Sequence, residues 1–410
     1  MAHNPEHTWG HTLPFGEEYY QGVTSLLSKI YDDAAIIAGV AQKAADALRA
    51  GKKVYTDAAI GHMPPTEMED EREGNPAQIH CCRHNCSPED YAALEAGDVL
   101  ITNSVNDSVR QARDAGVYVV GLPTAYVNNS RTPAGKIHPN QNEWVLEDVS
   151  SEVVETYIPW GQGIVHIPQM PELPAFPVSS NLTCAIHWML TVEVARALAS
   201  DAAPSGAGGR EYLEVLFKRL DAIHQEDFDA IGDAAVVVAK RIIGGGRFFV
   251  RSRNPGVQGD ANSVASGLML TNAFEMRSAE EGGDQDTFVI AAVSPDDPQE
   301  LEWAEQARAN GNYIIGIGPE NSAALQQGCD LYFSNRCAEA AGVIEVEGRD
   351  GKICPATGIL NNIILQVLTA QFTDEMCRRG AVPYFWMGVY RVGGGDYNAT
   401  LSGFFRQRGY

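Results

Sequence analysis

Gly116-Val117-Tyr118-Val119-Val120-Gly121 and, 195 residues further on, Gly311-Asn312-Tyr313-Ile314-Ile315-Gly316 spell the same short β-rich run between glycines. The same offset relates Gly51-Lys52-Lys53-Val54-Tyr55 to Gly246-Arg247-Phe248-Phe249-Val250, and Gly61 to Gly256. One offset shared by several separate strands signals a duplicated unit. Working outward from each run, the apolar positions Val23, Leu26, Leu27, Ile30, Ala34 and Ile37 predict a helix from Tyr19 to Ala50 that stops at Gly51. Strands follow over Lys53–Ile60, about Val99–Thr102 and Val117–Leu122, with a helix capped at Asp107-Ser108 between the last two. In the second half, Glu211–Ile243 reads as helix and Arg247–Arg251, Asp286–Val293 and Tyr313–Gly318 as strands. Strands alternating with helices imply an α/β fold: two doubly wound, mostly parallel, three-layer αβα domains in tandem. Ligands of such sheets collect at the carboxyl ends of the strands. The expected layout is a tail over 1–18, a first domain over 19–199, a small-residue linker over 200–210 and a second domain over 211–410.

A chain of 410 residues is long enough for two cores. Its 53 acidic residues against 30 Lys and Arg give a net charge of −23. That charge repels nucleic acid and anionic membranes, so an anionic ligand needs local donors. The opening Met1-Ala2-His3-Asn4-Pro5-Glu6-His7 has neither basic nor apolar signal character, and the apolar stretches Ala234–Ala239 and Gly358–Leu368 are too short to span a bilayer. The expectation is a soluble cytoplasmic protein whose eight cysteines are reduced thiols.

Gly61-His62, Gly97-Asp98-Val99-Leu100-Ile101-Thr102-Asn103-Ser104, and Pro177-Val178-Ser179-Ser180 opening a helix occur in the order of the sugar isomerase (SIS) domain, a flavodoxin-like unit. Arg379-Gly380-Ala381-Val382-Pro383 with Gly393-Gly394-Gly395-Asp396-Tyr397-Asn398 is similar to the tail of single-copy members, so the chain resembles this family over residues 19 to 400. The resemblance implies a phosphosugar ligand held at a Ser/Thr-rich turn, and homodimers or higher homo-oligomers. Here that turn is Thr102-Asn103-Ser104-Val105-Asn106-Asp107-Ser108, which lacks the family's glycine and carries an aspartate. Its second-half counterpart, Ser294-Pro295-Asp296-Asp297-Pro298, loses amide donors and gains two carboxylates, which suit sugar hydroxyls better than phosphate.

The family's activities make aldose–ketose isomerisation the leading expectation, with lyase or etherase chemistry and non-catalytic sugar sensing as the alternatives. Isomerisation needs a base and a polarising acid. Glu67 and His62, after the first strand, are the candidates; Glu67 otherwise belongs to a solvated acidic turn and His62 is otherwise a plain turn residue. Asn103, Ser104, Asn106, Asp107, Ser108, Ser179, Ser180 and Arg131 are the candidate substrate contacts, Ser179 and Ser180 reading equally as helix caps. Arg131, Lys136, Arg251 and Arg253 are the cations that offset an anion, or else are solvated. No cofactor is expected. Zinc is the one alternative, because His80, Cys82 and His84 share one face of a strand predicted over Gln78–Arg83, although buried strand cysteines are common without metal. His187 reads as a core histidine, and the tail Trp386–Asn398 as a sugar-facing, subunit-facing or packing loop.

Overall fold

The computed structural model describes residues 14–58, 60–82, 87–124, 129, 132, 144–200, 202–271, 283–338 and 342–410. The described residues open with α1 (Phe15–Asp32) and α2 (Ala34–Arg49). These replace the single expected helix, because Asp33 leaves helical geometry at φ −82°, ψ 8°, and its carboxylate receives the Tyr157 hydroxyl at 2.7 Å. Next come β1 (Val54–Asp57), α3 (Pro64–Glu67), β2 (His80–Cys81), α4 (Pro88–Ala92), β3 (Val99–Thr102), α5 (Asp107–Asp114), β4 (Tyr118–Gly121), α6 (Leu146–Val149) and β5 (Glu152–Val153). The first sheet has the order β2-β1-β3-β4-β5 and every pairing is parallel. An antiparallel ribbon, β6 (Gly163–Val165) with β7 (Ala175–Pro177), then leads into α7 (Ser179–Ala199).

The second half begins at α8 (Ala207–Ile243), which starts four residues earlier than its apolar periodicity predicts. Its first turn is held by Glu193 of α7, which accepts from the amides of Ser205 and Gly209 at 3.1 and 2.9 Å, so the expected linker is pinned to the body. There follow β8 (Phe248–Arg251), α9 (Pro255–Ser263), a 3₁₀ turn at Met269–Thr271, β9 (Thr287–Ala291), α10 (Pro298–Ala309), β10 (Tyr313–Gly318), α11 (Ala323–Gly328), β11 (Leu331–Ser334), α12 (Thr357–Arg378) and α13 (Gly394–Arg408). Its sheet, β11-β10-β9-β8, is also parallel throughout.

Side-chain alternation explains the layering. On β3, Val99 and Ile101 face the central helices while Leu100 faces α4, α5 and α6; on β9, Val289 and Ala291 face inward while Phe288 and Ile290 face α10 and α11. The inward faces of both sheets, with α1, α2, α7, α8 and α12, form one continuous apolar core. Helix α7 is long and apolar enough by composition to cross a membrane, but 83% of that window is buried inside this protein.

Candidate functional site

The turn that follows β1 is where the two halves meet. Gly61, at φ +91°, packs against Ser180 and Ser179 at the start of α7. From the other side, Gly256 of α9 lies so close that a Cβ there would stand 2.5 Å from Met63 Cα and 2.9 Å from the His62 carbonyl oxygen. Only glycine allows that approach. The backbone N–H of His62 donates to Asp260 Oδ1 at 2.7 Å, and Asn362 Nδ2 of α12 donates to Asp260 Oδ2 at 3.1 Å. Asn362 also reaches Asn181 Oδ1, and Asn181 donates to the Tyr19 hydroxyl at 3.2 Å, so α9, α12, α7 and α1 share one buried polar network. Burial pushes the Asp260 carboxyl upward, opposed by the charge of His62, the Ser180 hydroxyl and the amides of His62 and Met63. His62 itself is exposed, its side chain lying against Gly259.

Glu67 ends α3 and is wholly enclosed. Asn254 Nδ2 donates to its Oε2 at 2.7 Å, and Arg72 Nε lies 3.4 Å from the same oxygen. The Asn254 carboxamide is oriented by its other end, because Oδ1 caps α9 through Gly256 N at 2.9 Å and Val257 N at 3.3 Å and also accepts from Thr66. Glu67 Oε1 has no hydrogen-bond partner and rests on the first turn of α12, where a Cβ on Gly358 would fall 2.3 Å from Oε2. Burial raises the Glu67 carboxyl, against the pull of Arg72 and Asn254. It is therefore not part of a solvated acidic turn.

Beside this turn, at the end of β3, Ser104 Oγ donates to Asp57 Oδ2 at 3.2 Å, and the Tyr91 hydroxyl donates to the same oxygen. Burial and the Asp57 charge push the Tyr91 hydroxyl well up. Asn103 is buried with Oδ1 unpartnered. Asn106 Oδ1 caps α5 through Val109 N at 2.9 Å, Asp107 stands exposed 3.5 Å from Arg110, and Ser108 lies in the first turn of the same helix. Ser179 and Ser180 are buried, the Ser179 hydroxyl donating to Gln162 at 2.8 Å. Arg131, Lys136 and His84 lie outside the described residues.

In the second half, Asp296 receives the amides of Ala324 and Leu325 at 3.0 and 3.1 Å, while Asp297 caps α10 and pairs with Arg253. Both carboxylates are thus occupied by backbone capping. His187 is buried, and burial pushes it down to about 3, as a neutral core histidine. His80 Nδ1 sits 2.9 Å from Asp70, and Cys82 is disulfide-bonded, which corrects the expectation of eight reduced thiols and removes Cys82 as a thiolate ligand. Among the described residues no group of three His, Cys, Asp or Glu side chains is placed to hold a metal ion.

Sequence reasoning missed Asp260, Asn254, Asn362, Asp57 and Gly358. The available signal for Asp260 was a lone acid in the otherwise small and neutral run Pro255-Gly256-Val257-Gln258-Gly259-Asp260-Ala261.

No family model matches the chain. A phosphosugar isomerase candidate from Clostridium difficile 630 superposes with a TM-score of 0.51 at 12% identity, covering 91% of this chain and 96% of that one. A second such candidate, from Silicibacter pomeroyi DSS-3, gives a TM-score of 0.47 at 16% identity over 90% of this chain and 99% of that one. A UPF0309 protein of Streptomyces griseus is 22% identical over 238 residues, 48% of this chain and 95% of its own length. The chain has the sugar-isomerase-domain type of α/β fold.

Proposed function

We propose that this protein binds a small sugar or sugar phosphate beside the Gly61-His62 turn and transfers a proton between adjacent carbons, as an aldose–ketose isomerase does. The observation that carries the reading is an exposed histidine at a seam with two buried carboxylates: the His62 backbone N–H donates to Asp260, and Glu67 lies one short helix away. An exposed imidazole is the group able to touch a ligand, while a buried carboxyl with a raised proton affinity suits holding and returning a proton. Glu67 is enclosed, so it reaches substrate only when α9 and the first turn of α12 part from α3. The Asn103–Ser108 turn borders the same end of the sheet and supplies the Ser104 hydroxyl and the unpartnered Asn103 carbonyl.

We read the chain as two copies of one unit, residues 19–199 and 211–410. Support comes from the backbone before the long buried helices α7 and α12: Phe176 and Cys354 have φ +62° and +60°, and the N-caps Val178 and Ala356 have ψ −6° and −14°. The second half, whose own turn Asp residues are occupied, serves the first by contributing Asp260 and Asn254. The phosphosugar names carried by structures of this fold support the ligand class. Enclosure of Glu67 favours a second reading, a non-catalytic sugar sensor. Incubation of the full chain with aldose and ketose phosphates in heavy water, followed by NMR, separates the two. Deuterium at C1 or C2 of one sugar, lost in His62→Ala, supports isomerisation. Saturable binding without exchange supports the sensor and overturns the enzyme.

A further inference from the structure

A second corner of the molecule holds polar groups that the proposed site does not use. Segments around Gly161, Phe176, Ser266 and Trp386 are stitched together: Phe176 N donates to Ser266 O at 2.8 Å, Ser266 N to Trp386 O at 2.8 Å, Trp386 N to Gly267 O at 2.9 Å, and the Ser266 hydroxyl to Gly161 O. Three non-glycine residues here, Gln162, Phe176 and Ser266, hold left-handed backbones with φ between +62° and +69°. Each such residue costs about 1–3 kcal/mol, and strain of this kind gathers at binding sites. The tail is fixed against this corner by Asn398, whose carboxamide both donates to Met387 O and accepts from Met387 N at 2.8 Å.

Three donors in the corner lack acceptors. Trp160 Nε1, Trp386 Nε1 and Arg391 Nη1 are buried atoms with no hydrogen-bond partner. The Arg391 guanidinium lies 5.8 Å from the Trp160 ring centre, against Gly161. Burial lowers Arg391 against the opposing pull of Tyr397 and Glu172, so its charge is incompletely solvated. An orphaned buried donor costs about 1–3 kcal/mol, more when charged. Around it, Val389, Tyr390 and Val392 are each about half exposed. Aromatic faces, N–H donors and one guanidinium together match a ring with oxygen acceptors and a negative group.

We propose that the Trp160–Trp386–Arg391 corner is a second ligand site, separate from the Gly61-His62 turn, that takes a monosaccharide bearing an anionic group. The sugar face stacks on indole, its hydroxyls accept from the indole N–H groups, and the anion meets Arg391. Calorimetric titration of the full-length protein with D-glucuronate, glucose 6-phosphate and neutral D-glucose tests this. Both anionic sugars bind saturably, and Arg391→Gln and Trp160→Leu each weaken them at least about tenfold. Arg391→Lys and Trp160→Phe, milder changes that keep charge or ring, give intermediate losses in proteins of unchanged circular dichroism. In Ser104→Ala, which alters the turn of the first proposed site, a saturable event remains that Arg391→Gln then weakens. Absence of saturable binding by both anionic sugars overturns the proposal, as does binding that Ser104→Ala abolishes and Arg391→Gln spares. Conversion of an oligomer to a monomer by Arg391→Gln, with sugar binding unaltered, makes the corner a contact between copies and equally overturns it.

Discussion

Replacing Gly358 with alanine tests the seam directly. A Cβ at 358 would stand 2.3, 2.5 and 2.7 Å from Glu67 Oε2, Cδ and Oε1, whereas a comfortable carbon contact is about 3.5 Å. The carboxylate must therefore retreat by roughly 1 Å, which breaks its 2.7 Å bond from Asn254 and widens its 3.4 Å approach to Arg72. A hydrogen bond to a charged group contributes about 1.5–3 kcal/mol, while Gly→Ala within a helix returns only about 0.5–1 kcal/mol. The expected net loss in Gly358→Ala is about 1–2 kcal/mol, rising if Asn254 is left unpaired. In a Glu67→Ala background the obstruction is gone, and the same substitution should stabilise by about 0.5–1 kcal/mol. Urea unfolding of the four proteins measures a coupling of about 1.5–3 kcal/mol. Equal stabilisation by Gly358→Ala in both backgrounds would refute the placement of Glu67 beneath α12.

Gly256→Ala meets backbone atoms of His62 and Met63, which cannot swing away, so a loss of about 3 kcal/mol or more is expected in the same unfolding assay. Asp374 of α12 is buried against the start of α1, and burial raises its carboxyl to about 7 while the Phe15 amide pulls the other way. The folded chain thus keeps a proton that the unfolded chain releases near pH 4, so this group's contribution falls as pH rises from about 4 to 7. Asp374→Asn should accordingly stabilise the protein by up to about 4 kcal/mol at pH 8 and by little at pH 4, read from urea midpoints across that range. Ser104→Ala should lower turnover in the heavy-water assay at least about tenfold, whereas Ser294→Ala leaves it nearly unchanged; equal losses would mean two working turns.

Much of the fold was written in local pattern. Val99–Thr102 and Tyr313–Gly318 are strands within a residue of their apolar runs, and Gly51 ends the opening helices where expected, because period and terminators are properties of neighbouring residues. The break at Asp33 was not legible: it depends on Tyr157, far along the chain. The site divided the same way. His62 and Glu67 were visible as polar residues after a strand, but their partners Asp260, Asn254 and Gly358 come from the other half, and no spacing rule reports such a meeting. The acidic turn at Asp296-Asp297 looked like ligand chemistry because capping of α11 by Asp296 requires knowing that the two elements touch.

The packing of α1 on α12 bears on how the protein is made. Gly16 lies against Gln371 and Val367, so α1 has its resting place on a helix finished only at Arg378, more than 300 residues later in synthesis. At about 5–20 residues per second, that partner arrives tens of seconds later. Meanwhile the apolar faces of α1 and α7 are without the cover that α8 and α12 provide. A nascent chain of this design depends on being shielded until α12 is synthesised, and a stop codon anywhere before α12 leaves a product that cannot close its own core.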